Sequence, residues 1–300
     1  MPISILTRGV LVLLLLGVAS VVHADYLRPM VLAYAKPGTD VEAEVATVRE
    51  RLGEAGFRIL GDYSVTDSSH VLVATSPALL EVAASMPRAA YIAPLRVAVT
   101  RVDGEVQVSY NHLEYFRHAY RIDRSLEPVM AVLADALGAL ESFGAEGLSP
   151  SVLSRYRYAF GMERFNDPYE LAHYPDREAA LAALGANLGE SRGGVREVYR
   201  VDMPGRDATL IGVAIREDAG AERNAADAHQ LATVDVGDRR HTAYVPYEIL
   251  VEGGRVEALH MRFRMALHFP DLRMVGENSF VQLRRSPAAV ERALSLAAGG

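Results

Sequence analysis

The 300-residue sequence contains no cysteine. Without cysteine the chain forms no disulfide, carries no lipid-modified cysteine of the lipoprotein type and has no thiol nucleophile. Exported domains that are too small to bury enough apolar surface usually depend on disulfides, so this chain must depend on its hydrophobic core. Half of its residues are hydrophobic and 23% are charged, which is typical of a folded globular protein.

Two motifs of known catalytic sites are also absent, and the charge balance is acidic. The chain has no phosphate-binding G-x-x-x-x-G-K-[ST] loop and no H-E-x-x-H zinc motif. Its formal net charge is −7, and loss of the N-terminal segment that contains Arg8 makes the chain more acidic still. Because nucleic-acid binding depends on a surplus of positive charge, this balance argues against a nucleic-acid partner.

Residues 1–24 have the three parts of a secretion signal peptide. Arg8 supplies the positive start, an almost unbroken apolar run follows from Val10 to Val22, and small residues lead to a cleavage point after Ala24. The apolar run is shorter than the roughly 20 residues that a membrane-spanning helix needs. We therefore expect cleavage and a periplasmic or secreted protein with no stable membrane span; an uncleaved N-terminal anchor is the alternative.

The next part, residues 25–122, is predicted to form a first α/β lobe. Its patterns follow in the order strand, helix, strand, strand, helix, strand, strand. Thr39–Asp40 and Ser76–Pro77 provide the starts of the two helices, because Asp and Ser are good caps and Pro suits the first helical position. Asp103–Gly104 provides the turn of the closing hairpin.

The rest of the chain is predicted to form a helical bridge and a second lobe. Residues 123–194 have mainly helical patterns, and we interpret the aromatic segment 156–174 within them as packing between the lobes; a ligand cleft is the alternative. Residues 195–300 return to strand patterns and close on a helix. The prediction is an α+β protein with two related α/β sandwich lobes, each a sheet with packed helices, joined by the helical bridge.

The relation between the lobes depends on one repeated pattern. An aromatic residue, a proline, a strand, a glycine turn and a returning strand follow one another in Tyr91–Val106 and again in Tyr244–Val256. Glycine turns between valine-rich strands are common, so coincidence is the alternative. We favour a duplication.

The first lobe resembles the family called domain of unknown function 302, a short α/β domain of prokaryotes. The resemblance covers about residues 32–115 and is carried by LGEAGFRIL at 52–60, SPAL at 76–79 and PLRVAV at 94–99 with the turn that follows. A weaker echo covers residues 242–266. The resemblance implies an α/β fold and self-association through sheet surfaces, hence a homo-oligomer. It implies no catalytic residue, because members have no assigned activity.

Alternate residues from Val256 to Phe269 differ in character, which predicts one long strand. From Leu259 onward every second residue is Leu, Met or Phe, and four of the residues between them are basic: His260, Arg262, Arg264 and His268. Since guanidinium groups match carboxylate and phosphate geometry, this stripe predicts a site for a small anionic ligand. The alternative is a solvated sheet face whose arginines pair with Glu248 or Glu257.

A second cluster follows the first hairpin and offers acid–base groups: His112, Glu114, Tyr115 and His118. Such groups can transfer protons in a cleft between two lobes. The two histidines are not four residues apart, the spacing that a helical zinc pair needs. A third hypothesis is a periplasmic metal carrier that uses His260 and His268, although the predicted alternation separates them from the methionines.

The sequence therefore favours non-enzymatic binding of a small anionic ligand or of an envelope protein. A cleft enzyme and a metal carrier stay open as alternatives. No metal site and no cofactor is predicted.

Overall fold

The computed structural model describes residues 26–300, and in that part of the chain it contains two antiparallel sheets and nine α-helices. The α+β class predicted from the sequence is thereby confirmed. The segment predicted to be a signal peptide lies outside the described residues. Among the described residues, none of the helices combines the length and the apolar character that crossing a bilayer requires.

The first sheet has six strands in the order β2-β3-β4-β5-β1-β6. Its strands are β1 (Met30–Pro37), β2 (Arg58–Thr66), β3 (Ser69–Thr75), β4 (Leu95–Val102), β5 (Glu105–Asn111) and β6 (Glu141–Phe143). The helices of this half are α1 (Val41–Glu54), α2 (Pro77–Ala83), α3 (Leu113–Ala119), α4 (Glu127–Leu137) and α5 (Pro150–Leu153).

The second sheet has five strands in the order β7-β11-β10-β9-β8. Its strands are β7 (Tyr169–His173), β8 (Val195–Asp202), β9 (Ala208–Ile215), β10 (Tyr247–Glu252) and β11 (Arg255–Ala258). The helices of this half are α6 (Arg177–Gly189), α7 (Asp227–Val234), α8 (Met261–His268) and α9 (Ser286–Ala298). Taken in chain order, β7 to β11 are arranged like β1 to β5, and helices follow the corresponding strands in both halves.

Local signals explain how the helices of the first half begin. The side chain of Asp40 accepts a hydrogen bond from Ala43 N at 2.9 Å at the start of α1. Ser76 accepts from Leu79 N at 3.3 Å, and Pro77 occupies the first position of α2. The predicted caps are therefore confirmed.

The segment predicted to be a helical bridge, residues 123–194, also contributes two strands. β6 pairs with β1 in the first sheet, and β7 pairs with β11 in the second. Both strands are short, so neither has the length over which an alternating pattern can be recognised. The aromatic segment does pack between the halves: the Phe165 ring stacks on Tyr120 with centroids 5.1 Å apart, and Tyr156 donates to Ala266 O at 2.8 Å.

The long strand predicted from Val256 to Phe269 is wrong. β11 ends at Ala258, and the chain then forms the helix α8, in which seven of eight residues are buried. A helix that is buried on all sides has no polar face, so its sequence lacks the 3.6-residue period that would identify it. The alternation of apolar and basic residues in this stretch therefore does not reflect the two faces of a sheet.

Each sheet carries helices on one face and turns the other face toward the other sheet. α1 packs on β2, β3 and β4, and α6 packs on β8, β10 and β11. The edge strands β2 and β8 contact each other where the two sheets meet. At that contact a Cβ atom on Gly61 would lie 2.1 Å from the carbonyl oxygen of Val198. Glycine is required there because the two backbones approach too closely for any side chain.

We predict that Gly61→Ala lowers the free energy of unfolding by about 1–3 kcal/mol, because the added methyl group must push the two sheets apart. Urea denaturation measures the change. Gly53→Ala in α1 is the matched control, since its Cβ would meet no atom within 4 Å, and there alanine should be neutral or stabilising by up to about 1 kcal/mol. Equal losses in both variants would contradict the close approach at Gly61.

Candidate functional site

The four basic residues of the predicted stripe do not form one surface. Arg264 and His268 are 1% and 0% exposed, respectively, and lie between the two sheets. His260 and Arg262 lie at the N-terminal end of α8, where the Arg262 side chain is 44% exposed. The predicted stripe does not exist because the segment is a helix. Successive side chains of a helix point in different directions around its axis, whereas those of a strand alternate between two faces.

Arg264 belongs to a buried ion network with Glu248 and Arg96. Its Nε donates to Oε2 of Glu248 at 3.2 Å, and Arg96 donates to the other oxygen of the same carboxylate. Burial alone would lower the pKa of Arg264, but the charge of Glu248 raises it above its ordinary value. The pairing of Arg264 with Glu248 that the sequence offered as the alternative is confirmed, but Arg264 makes it from a buried helix and not from a solvated sheet face.

His268 is held neutral inside this network. Its Nδ1–H donates to Arg264 O at 2.8 Å, and its Nε2 accepts from Arg96 at 3.2 Å. Burial, reinforced by the charges of Arg96 and Arg264, keeps the pKa of His268 well below its usual value. Since both ring nitrogens have partners, His268 has no lone pair free for a metal. Among residues 26–300, no group of three or more His, Asp or Glu side chains is arranged to hold a metal ion.

A groove of about 280 Å³ lies beside α8, between this helix, the start of α9 and the connecting loop 269–285. Its lining is largely apolar and includes the methionines Met162, Met261, Met265 and Met274. Met261 and Met265 lie one turn apart on α8. In the loop, Val275 is 71% exposed, so the groove opens to solvent through apolar side chains. Such exposed apolar surface marks ligand grooves and interaction sites.

Two arginines line the same groove, and they differ in how they are paired. Arg262 donates to Glu163 Oε1 at 2.9 Å, and His260 Nε2 lies 3.3 Å from that oxygen. Burial lowers the pKa of His260, against the opposing charge of Glu163. Arg284 is exposed, and its Nη1 is 3.5 Å from Val281 O. None of the ion pairs among the described residues involves Arg284. The groove thus combines an apolar lining with one unpaired guanidinium.

The second predicted cluster serves helix packing. Glu114 Oε1 accepts from Ser125 Oγ at 3.0 Å and from Leu126 N, and its Oε2 accepts from Arg117 Nε at 2.6 Å. The carboxylate therefore ties α3 to the start of α4. Tyr115 is buried and donates to Leu267 O in α8 at 2.8 Å.

The two histidines of this cluster have different surroundings. His112 caps α3 and lines a cleft beside α4, and burial lowers its pKa. His118 is partly exposed, with Nε2 3.8 Å from Glu114. His112 thus accepts a hydrogen bond from the backbone N–H of Tyr115, and among the four side chains only those of Glu114 and His118 lie within ion-pair distance of each other.

Sequence reasoning missed two features of the chain, one beside the groove and one at the end of α6. Arg284 stands in a basic pair directly before the Ser-Pro start of α9, and this pair could have marked it as a candidate anion-binding residue from the sequence alone. A G-x-S-x-G pattern, Gly189 to Gly193, is also present. The serine elbow requires a strand followed by a helix, but Ser191 follows the helix α6 and precedes the strand β8. The pattern is therefore a helix-to-strand turn here.

Comparison of the chain with protein-family models, with curated proteins and with solved structures found no match. The resemblance of the first lobe to the domain of unknown function 302 family accordingly stays a prediction.

We predict that Glu248→Gln lowers the free energy of unfolding by about 3–5 kcal/mol, because it leaves Arg96 and Arg264 buried without their counter-charge. Chemical denaturation measures the loss. The control is Glu197→Gln, which breaks the partly exposed pair of Glu197 with Arg200 at 2.7 Å and should cost less than about 1 kcal/mol. A small effect of Glu248→Gln, similar to the control, would mean that the network does not hold the sheets together.

Proposed function

We propose that the protein is an exported, periplasmic or secreted binding protein without enzymatic activity, and that it holds a small amphipathic anion in the groove beside α8. The observation that carries this proposal is the unpaired Arg284 at the edge of an apolar, methionine-lined surface. The ligand class that fits is a medium-length alkyl chain with a carboxylate or phosphate head.

The lining supports an alkyl chain as the apolar part of the ligand. Methionine side chains are flexible and polarizable, and they adapt to chains of different shape. Ligand sites are typically concave and apolar with a small number of polar groups that fix orientation. With about 280 Å³, the groove has room for a short or medium chain rather than for a large lipid.

The charges support an anionic head. A guanidinium without a carboxylate partner can donate two parallel hydrogen bonds to a carboxylate or phosphate. Arg262 can add a further donor, because only its Nη1 is engaged with Glu163 and its side chain is 44% exposed.

We also propose that the two halves arose by duplication of one α/β unit. The matching strand orders support it, as does the packing of α4 on α1 and of α9 on α6 at corresponding places. On this reading the second copy begins at β7 rather than at residue 195. The copies differ after their third helix: the loop 120–126 is short, whereas the loop 269–285 forms the groove. Binding of an envelope protein is a further part of the proposal. Self-association through sheet faces is not, because both faces of each sheet are covered within the chain.

We predict that octanoate binds the purified protein more tightly than 1-octanol does, and that Arg284→Ala weakens octanoate binding about tenfold by removing a charge-assisted hydrogen bond. Isothermal titration calorimetry measures both. Arg273→Ala is the control, because Arg273 is exposed on the same loop but does not line the groove. Equal affinities for octanoate and octyltrimethylammonium, or an unchanged affinity in Arg284→Ala, would refute an anion site.

A further inference from the structure

A second cleft, of about 230 Å³, lies where the edge strand β2 meets the turn after β9 and the start of α7. Tyr63 and Asp227 line it together with the aliphatic side chains of Val65 and Ile215. Its walls therefore come from both halves of the chain. The cleft is distinct from the groove beside α8, with which it shares no lining residue.

Asp227 is a buried carboxyl group with one oxygen left free. It is 2% exposed, and its Oδ2 accepts from Tyr63 OH at 2.9 Å and from Ile215 N at 3.0 Å. Its Oδ1 has no hydrogen-bond partner among the described residues. Oδ1 is itself buried, and a buried oxygen without a partner is costly. A donor that reaches this oxygen through the cleft would remove the cost.

The neighbouring arginine does not supply that donor. Arg216 directs Nε and Nη2 at the two oxygens of Asp218, at 2.8 Å each, and Nη1 at Ser64 O at 3.0 Å. All three of its nitrogens are thus engaged away from Asp227. Glu217 and Asp218 also line the cleft, so its carboxylates outnumber its one guanidinium.

We propose that this cleft binds the ammonium group of a small primary amine, with Oδ1 of Asp227 as the acceptor. A compact ammonium fits a single free carboxylate oxygen, whereas a divalent metal needs several ligands. The ring of Tyr63 and the side chains of Val65 and Ile215 offer an apolar surface to the carbon atoms of the amine. This site goes beyond the proposed anion groove, and a failed binding experiment at either site leaves the other untouched.

Protons compete with such a ligand for Asp227. Burial raises the pKa of Asp227 to about 7, although the Ile215 N–H, the Tyr63 hydroxyl and the charges of Arg264 and Arg216 act to lower it. Burial raises the pKa of Tyr244, from the turn before β10, to about 12, and the charge of Asp227 adds to that rise. Because an ammonium binds only the ionised carboxylate, affinity should rise roughly tenfold between pH 6 and pH 8.

The experiment titrates the purified protein with n-butylammonium at pH 8 and follows chemical shifts by NMR. We expect saturable shifts that 1-butanol does not produce, and an affinity that falls on the order of tenfold or more in Asp227→Asn. Asp207→Asn is the control: it removes one exposed carboxylate at the opposite end of β9 and should leave binding unchanged. Ala228→Leu, which fills the cleft and keeps the carboxylate, should abolish binding.

The folding equilibrium is measured by chemical denaturation of the same samples. Between about pH 4 and pH 7 the folded state keeps a proton on Asp227, whereas the unfolded chain releases it above the ordinary pKa of 3.8. The folding equilibrium of the parent protein should therefore weaken by up to about tenfold per pH unit from near 4 to near 7, relative to Asp227→Asn. Butanol binding as tightly as butylammonium, affinity equal at pH 6 and pH 8, or full binding by Ala228→Leu would each overturn the proposal.

Discussion

The buried carboxylate of Glu248, shared by Arg96 and Arg264, is the interaction on which the arrangement of the two sheets depends. Arg96 comes from the first sheet, Glu248 from the second, and Arg264 from the helix that follows the second sheet. The guanidinium of Arg264 also lies over the rings of Tyr244 and Tyr247, 4.4 and 4.5 Å from their centroids. Since two cations share one anion, the adjacent His268 has to stay neutral. The network thus sets the position of α8, and α8 carries part of the groove.

The position of this network reflects the likeness of the two halves. Arg96 stands two residues after Pro94, and Glu248 two residues after Pro246, at the beginnings of β4 and β10. In the proposed duplication these positions correspond, yet they carry opposite charges. Two copies packed face to face bring corresponding positions together at the centre, where like charges would repel in a low-dielectric interior. A charge difference at this one position therefore makes the internal pairing favourable.

The two candidate binding regions lie in connections that are longer in the second half than in the first. The loop 269–285 forms one side of the groove, and the turn 216–226 before α7 forms one side of the acidic cleft. Loops on a rigid scaffold carry function more often than the sheets that support them. In this scaffold each sheet is covered by helices on one side and by the other sheet on the other. The two regions differ in charge, so they suit different ligands.

The sequence by itself determined the α+β class, the order of strands and helices in the first half, and the caps at Asp40 and Ser76, because these depend on neighbouring residues. Only the tertiary structure decided that α8 is a helix, since its surroundings bury it on every side and remove the expected period. Tertiary structure also decided which polar groups can bind a ligand. Arg264 and His268 form hydrogen bonds with residues that are distant in sequence. Arg284 has no ion-pair partner, and one oxygen of Asp227 has no hydrogen-bond partner among the described residues. Burial and pairing are properties of non-local contacts, and no local pattern encodes them.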